Sequence, residues 1–419
     1  MFYDENEGFE GMDYDYDPGD ISPEEYMEIL RRSGYSNADF EMPQAEDATL
    51  NLLDDCIKPT LFQNESIRIL SYAVIFCALF RFVRVLGCLM IVVMKLISVG
   101  FDLDGDASLQ NVDFVDFASY IFAVHSVVFG PWISLAEHVA MLEPIGLTAG
   151  WRSDLKGVLL SLPFSVICLL HSTCISQWLL PGSDYVRSIV PFFFTRSTHR
   201  WLIAYRDAQS FRFSQYFVCL FGEACLRLCG WRSSCKSGKE TASVVRPLKI
   251  ELPRSLVDVV VCWNIPMHRW LKTYVFSIAK NNCGNFVAIL LTYAASSLLH
   301  GFNFQLSAVL LSLGFYTYTE YYLRKKLARA YDSCIEAKSC TPDKCSHSNK
   351  WSHPCVLFCN FAFFALAVFH LAYLGMPFGG DIETQQTGFS MSHTLSSWAQ
   401  FGYSSHIIAT VMFIFALVI

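Results

Sequence analysis

Apolar positions in this chain gather into runs too long for a soluble core helix, separated by short polar stretches, a pattern that predicts membrane-crossing helices. The first run extends from Ile67 to Val99, interrupted by Arg81, Arg84 and Lys95, and holds about one span plus part of a second at roughly 20 residues per crossing. Phe114 to Ala136 follows, then Gly157 to Leu180, in which Pro163 predicts a kink. Residues 211–230, Ser255 to Trp263, Asn285 to His300, Phe304 to Tyr322, Val356 to Leu374 and Ser405 to Ile419 continue the series, with a broken segment over Asn264–Trp270. The expected fold is therefore all-α, a polytopic transmembrane helical bundle of roughly eight or nine hydrophobic segments, with no internal repeat.

The polar separators set an orientation. Residues 231–255 carry Arg232, Lys236, Lys239, Arg246 and Lys249, and the Phe304 run ends in Arg324, Lys325, Lys326 and Arg329; positive charge of this kind marks the cytoplasmic side. Composition agrees with a membrane body: 53% of residues are hydrophobic and 16% charged, too little polar surface to cover a soluble globule of this size. The net charge of -7 is unevenly placed. Seventeen acidic residues stand before position 56 against Arg31 and Arg32, so the remainder of the chain is net basic. Residues 1–60 are expected to be an acidic, solvated tail and 61–419 the multi-span domain. Asp4, Glu5, Glu7 and Glu10 stand where a secretory signal needs a basic region, so the first span is expected to act as the targeting signal. Asn64-Glu65-Ser66 is a glycosylation sequon that matters only on a lumenal end.

Two stretches place polar chemistry inside apolar surroundings. In Cys262-Trp263-Asn264-Ile265-Pro266-Met267-His268-Arg269-Trp270-Leu271, Pro266 cannot donate to a helical ladder, so nearby carbonyls are freed. Irregular backbone at membrane depth is tolerated only where protein or a wet cavity satisfies it, which makes this break either an active-site wall or a kinked helix with Asn264 as interhelical glue. In Tyr293-Ala294-Ala295-Ser296-Ser297-Leu298-Leu299-His300-Gly301-Phe302, helical spacing puts Tyr293, Ser296 and Ser297 on the face of His300. An intramembrane histidine is a candidate functional group, with a satisfied packing histidine as the alternative.

Trp-Asn-x-Pro-x-x-x-Trp-Leu, followed 36 residues after its Asn by Leu-Leu-His-Gly-Phe, resembles the paired Asn and His signature of the membrane-bound O-acyltransferase family. The stretches Ile250–Ser255, Tyr293–Phe302, Ala308–Leu313 and Phe369–Gly375, with Met94-Lys95, Ser98 to Asp104 and Val128 to Ser134, are similar to the branch of that family that acylates Wnt proteins. The resemblance covers about residues 50–419. One departure stands out: the family pattern carries further hydrophobic segments between the regions matching Phe80–Gly87 and Cys88–Asp104, which here are fused.

The resemblance implies a protein-serine O-palmitoleoyltransferase of the endoplasmic reticulum membrane. Its co-substrate would be palmitoleoyl-CoA, its acceptor a Wnt protein in a lipid membrane, with no permanently bound cofactor and no nucleic acid. His300 is the implied general base and Asn264 the implied partner for the acyl group or its oxyanion. Trp263, Trp270, Tyr293, Ser296 and Ser297 are expected along the substrate or acyl tunnel, and Cys174 resembles a family cysteine that can itself be lipidated. Lys249 and Arg254 could receive CoA phosphates, or could simply mark the cytoplasmic side. Cys340, Cys345, His347, His353 and Cys355 have a Cys-x4-Cys-x-His spacing too irregular for an assigned zinc site; reduced thiols or a disulfide are the alternatives, and no metal is assigned. Two rival functions remain open at this point: a family member that acylates a lipid or sterol, and a catalytically impaired form that only binds its acceptor.

Overall fold

The computed structural model describes residues 85–105, 112–127, 130–142, 151–180, 196–229, 231, 243–301, 303–340, 345–379 and 390–419, all within the compact unit Asp55–Ile419. The acidic tail, the sequon at Asn64 and most of the first apolar run lie outside the described residues. Within them the architecture is helical, and one isolated bridge joins Ser333 to Asn349. Helix α1 is Val85–Gly105, running unbroken through the fused junction at positions 87 and 88.

The Phe114 to Ala136 run is not one span. It divides into α2 Phe114–Ile121 and α3 Val124–Val127, followed by extended chain around Gly130 and then α4 Leu135–Leu142. Helix α5, Trp151–Leu170, continues through a π-helical turn, His171–Ile175, into Ser176–Leu179, and accommodates Pro163 without interruption. Helix α6 is longer than its apolar stretch suggests, spanning Arg196–Leu228. Its charges are neutralised by specific partners. Arg212 grips Glu251 through two N–H donors at 2.8 and 2.9 Å, and Tyr216 donates to the same carboxylate at 2.8 Å. Glu223 accepts from Arg227 at 2.9 Å and from the Val244 N–H at 2.9 Å. Charged groups survive in a low-dielectric interior only when paired and hydrogen-bonded in this way.

Short helices α7 Pro247–Glu251 and α8 Leu256–Trp263 lead to the central element. Helix α9, Ile265–Leu271, passes through a π-helical turn, Lys272–Phe276, into α10, Ser277–Leu299. Gly284 within α10 has φ 79 and ψ 173, a conformation that an L side chain resists, and the chain reverses there. Ala295 and Leu299, on the returning limb, consequently pack against the cluster containing Met267, Trp270, Leu271 and Tyr274. The unit is a helical hairpin.

Beyond it lie α11 Phe304–Ala330, α12 Pro354–Gly375, α13 Met391–Ala399 and α14 Ser404–Val418. Among the described residues, three helical stretches are long and apolar enough to cross a membrane: Leu155–Leu179, Ile265–Leu299 and Pro354–Phe378. The α13–α14 pair, bent by 74°, could make a fourth. That is fewer than the eight or nine segments expected, and the second of the three is the hairpin just described. The surfaces of these helices are those of a lipid-facing protein: Leu159, Leu160, Phe358 and Phe361 are 63%, 64%, 75% and 65% exposed, while Lys95, Gln305 and Arg324 are fully buried.

Arg324 corrects the reading of the basic cluster after Phe304. Its guanidinium is inside the protein, paired with Glu320 at 2.8 Å and donating to the Ile335 carbonyl at 2.7 Å and to Asn360 at 3.0 Å, so it is a structural group and no marker of the cytoplasmic face. Lys95 is a second buried cation. Its ammonium donates to the Tyr120 carbonyl and to Ser126 Oγ at 2.7 Å, which lets a lysine interrupt α1 without facing lipid.

Candidate active site

Asn264 sits where α8 stops and α9 starts. Its backbone is extended, with φ -149 and ψ 90, and its Oδ1 accepts the Met267 N–H at 3.1 Å, so its side chain caps α9. Pro266 falls in the first turn, where its missing N–H has no intrahelical partner to lose. The groups freed by the break are taken up by the segment before α7: Arg246 N–H donates to the Cys262 carbonyl at 3.1 Å, and Ile265 N–H to the Val244 carbonyl at 2.9 Å. With Oδ1 committed to the cap, the amide nitrogen of Asn264 is left without a hydrogen-bond partner among the described residues.

His300 is the C-cap of α10, with φ -80 and ψ 2, and its N–H donates to the Ser296 carbonyl at 3.3 Å. Gly301 follows with φ 87, and Asn303 then caps α11 by accepting the Leu306 N–H at 3.2 Å. The imidazole is exposed and makes no hydrogen bond among the described residues, leaving a ring nitrogen available to accept a proton. Because the chain reverses at Gly284, residue 299 packs on the cluster that contains Met267. Asn264 opens the first limb of this hairpin and His300 closes the second, whose Leu299 packs on the cluster that the first limb lines.

The other sequence-derived residues distribute around that hairpin. Trp263 packs against Phe211 and Tyr216, at centroid distances of 6.1 and 6.2 Å. Trp270 is buried and donates its indole N–H to the Met94 carbonyl at 3.0 Å, tying α9 to α1. Tyr293 lies on Gly314 of α11, so closely that a Cβ there would stand 2.7 Å from its ring. Ser297 hydrogen-bonds Ser307, and Ser296 is buried. The polar stripe preceding His300 therefore serves, in part, as the seam between α10 and α11.

Lys249 is exposed on α7, whereas Arg254 donates to the carbonyls of Glu336 and Cys334 at 3.1 and 3.0 Å. Cys174 is buried in the π-helical turn that follows α5. The cysteine and histidine cluster is also regrouped. Cys340, Cys345 and His347 converge with Cys334, while Cys355 is exposed on α12 and His353 precedes that helix.

Sequence reasoning missed several groups around α9. Glu137 grips Arg269 at 2.8 and 2.6 Å, Tyr274 donates to Asp102 at 2.7 Å, and Trp132 donates to Ser98 at 3.3 Å. His370, buried on α12, contacts Ser405 at 2.6 Å beside Tyr316. His370 had a legible signal, since it lies inside the matched stretch Phe369–Gly375. Glu137 and Arg269, 132 residues apart, had none.

The family model for membrane-bound O-acyltransferases matches residues 53–334, a range that includes both Asn264 and His300. The human protein-serine O-palmitoleoyltransferase porcupine is 42% identical over 331 residues, covering 76% of this chain and 70% of the human protein. The mouse protein of that name is 43% identical with the same coverage, and that of Drosophila melanogaster is 37% identical over 355 residues, covering 80% of this chain and 64% of the fly protein. Lysophospholipid acyltransferase 2 of Arabidopsis thaliana is 23% identical over 51% of the chain. By a family match spanning more than half its length and by these relatives, the chain belongs to the membrane-bound O-acyltransferase family.

Proposed function

We propose that the chain is an acyl-CoA:protein-serine O-palmitoleoyltransferase of the endoplasmic reticulum membrane, with a Wnt protein as acceptor, His300 as general base and Asn264 as the group that supports the acyl carbonyl. The observation that carries the reading is the hairpin reversed at Gly284, which brings the end bearing an unengaged imidazole back toward the start bearing an unengaged amide. The relatives named protein-serine O-palmitoleoyltransferase porcupine, at 42% and 43% identity, support a protein serine as acceptor and palmitoleoyl as the acyl group, and the sequence resemblance supports a Wnt protein as the one that carries the serine.

The chemistry follows from these two side chains. A serine hydroxyl attacks only as its proton departs, and a neutral imidazole within reach is suited to accept that proton. The serine oxygen bonds to the thioester carbonyl carbon, charge accumulates on the carbonyl oxygen, and the Asn264 N–H donates to it. Collapse breaks the carbon–sulfur bond, and the proton held by His300 balances the departing CoA thiolate. No resident cofactor is required; the donor is palmitoleoyl-CoA. Lys249, exposed on α7, is available to the CoA phosphates, while Arg254 already holds two backbone carbonyls.

The test is transfer of labelled palmitoleate from its CoA thioester to a serine-containing Wnt peptide by purified protein. Labelled peptide supports the proposal. Label appearing in lysophospholipid or sterol instead would move the chain to the lipid-acylating side of the family, and peptide binding without transfer would make it a catalytically impaired acceptor-binding protein.

A further inference from the structure

The loop between α11 and α12 contains a second constellation, unrelated to the hairpin. One ligand atom from each of Cys334, Cys340, Cys345 and His347 lies within 4.8 Å of every other. The imidazole Nδ1 is 3.5 Å from the Cys340 sulfur and 3.6 Å from the Cys345 sulfur. The two sulfur–nitrogen distances match the edge of a metal tetrahedron: with zinc–sulfur bonds of about 2.3 Å and zinc–nitrogen bonds of about 2.0 Å, sulfur and nitrogen stand roughly 3.5 Å apart.

Simple hydrogen bonding accounts for the arrangement less well. Nδ1 has a single lone pair and can accept from one thiol, yet two sulfurs approach it almost equally. The three cysteines are free thiols, so no disulfide among them explains the convergence.

The surrounding loop is built to hold its shape. Cys334 is buried, and its N–H donates to the Asn349 carbonyl at 2.9 Å, while the Asn349 N–H returns to the Asp332 carbonyl at 3.0 Å. Asp332 in turn accepts from the Ser348 N–H at 2.9 Å. The carbonyls of residues 334 to 337 are each claimed from outside the loop: Cys334 and Glu336 by Arg254, Ile335 by Arg324, and Ala337 by Ser255 at 3.2 Å. Ser255 caps α8, the helix that ends at Asn264. The loop is thus a brace on the helix leading into the candidate active site.

We infer that Cys334, Cys340, Cys345 and His347 form a tetrahedral structural zinc site that locks the α11–α12 loop against the start of α8. Three thiolates and one imidazole are a donor set that favours zinc, and with all four positions filled by protein no coordination site is left for catalysis. His353 and Cys355 are outside the set. The inference does not depend on the acyl-transfer proposal, and its test uses metal content.

The measurement is inductively coupled plasma mass spectrometry on the full chain, purified in mild detergent without chelators or a metal-affinity step. About one zinc per chain is expected in the unaltered protein, falling at least about fivefold in Cys345→Ser and His347→Ala and unchanged in His353→Ala and Cys355→Ser. Should the serine variant fail to fold, the unaltered protein produced in cobalt-supplemented cells gives a second readout, the intense visible bands of tetrahedral thiolate-bound cobalt. Zinc below about a tenth of an equivalent in the unaltered protein, or one equivalent of another metal, overturns the assignment. So does a disulfide found between any two of the three cysteines by mass spectrometry of alkylated, unreduced protein.

Discussion

The Oδ1 of Asn264 accepts the backbone N–H of Met267 at 3.1 Å, so a single side chain starts helix α9 while its amide nitrogen holds no hydrogen bond among the described residues. The cap and the proposed donor role use different atoms and can be separated by substitution. Asn264→Asp keeps an oxygen for the cap but removes the N–H donor. Its thermal unfolding in detergent is expected to stay near that of the unaltered protein while transfer falls by about a hundredfold or more. Asn264→Ala loses both functions, with a further cost of about 1 kcal/mol for the missing cap. Unchanged turnover in Asn264→Asp would remove the amide nitrogen from the mechanism.

His300 offers the complementary separation. Its ring is exposed and holds no hydrogen bond among the described residues, so truncation removes little packing. His300→Ala is expected to express and unfold like the unaltered protein, within about 0.5 kcal/mol, while transfer to the acceptor peptide drops to background. An active His300→Ala variant would show that the proton goes elsewhere.

The two polar ends, Asn264 and His300, were legible because their signals are local, whereas the hairpin that joins them was not anticipated. Pro266 sits in the first turn of its helix, where its missing N–H costs nothing, and the polar run Asn281-Asn282-Cys283-Gly284 between two apolar limbs was the overlooked sign of the turn. Helix α6 was foreshortened because Arg196, Arg200, Arg206 and Asp207 lower the hydropathy of its first half, and nothing in sequence announces that Glu251 lies opposite Arg212. Arg324 was misread for a related reason: beside Lys325, Lys326 and Arg329 it looks like one more surface charge, and only the fold shows it pointing inward to Glu320. Cys334 escaped the cysteine cluster because it stands apart from the Cys-x4-Cys-x-His spacing, brought in by the bridge between Ser333 and Asn349. Long-range pairing is what composition and period cannot carry.

Gly284 tests the reversal itself. With φ 79 and ψ 173 it occupies a region that β-carbons disfavour, although open space surrounds the position, so the cost of a side chain is conformational and not steric. Gly284→Ala is expected to destabilise the protein by about 1–3 kcal/mol and to lower transfer by misplacing His300 relative to Asn264. The check is thermal unfolding together with turnover. A Gly284→Ala variant as stable and active as the parent would indicate that the chain can turn here by another route.

Arg324 tests the interior of the bundle. Its guanidinium is wholly buried and supports four partners at once: Glu320, Asn360, and the carbonyls of Ile335 and Arg254. Removing the cation alone leaves a buried carboxylate uncompensated and two carbonyls without donors, so Arg324→Ala is expected to cost about 3–5 kcal/mol. Replacing both charges by apolar residues of similar volume, as in Glu320→Leu with Arg324→Met, removes the uncompensated charge and should recover much of that loss. The Leu256 N–H, which donates to Glu320 at 2.8 Å, would still be orphaned in the double variant, so recovery is expected to be incomplete. Unfolding measurements on the two single variants and the double variant give the coupling between the residues. Strictly additive effects would show that the pair does not act as a unit.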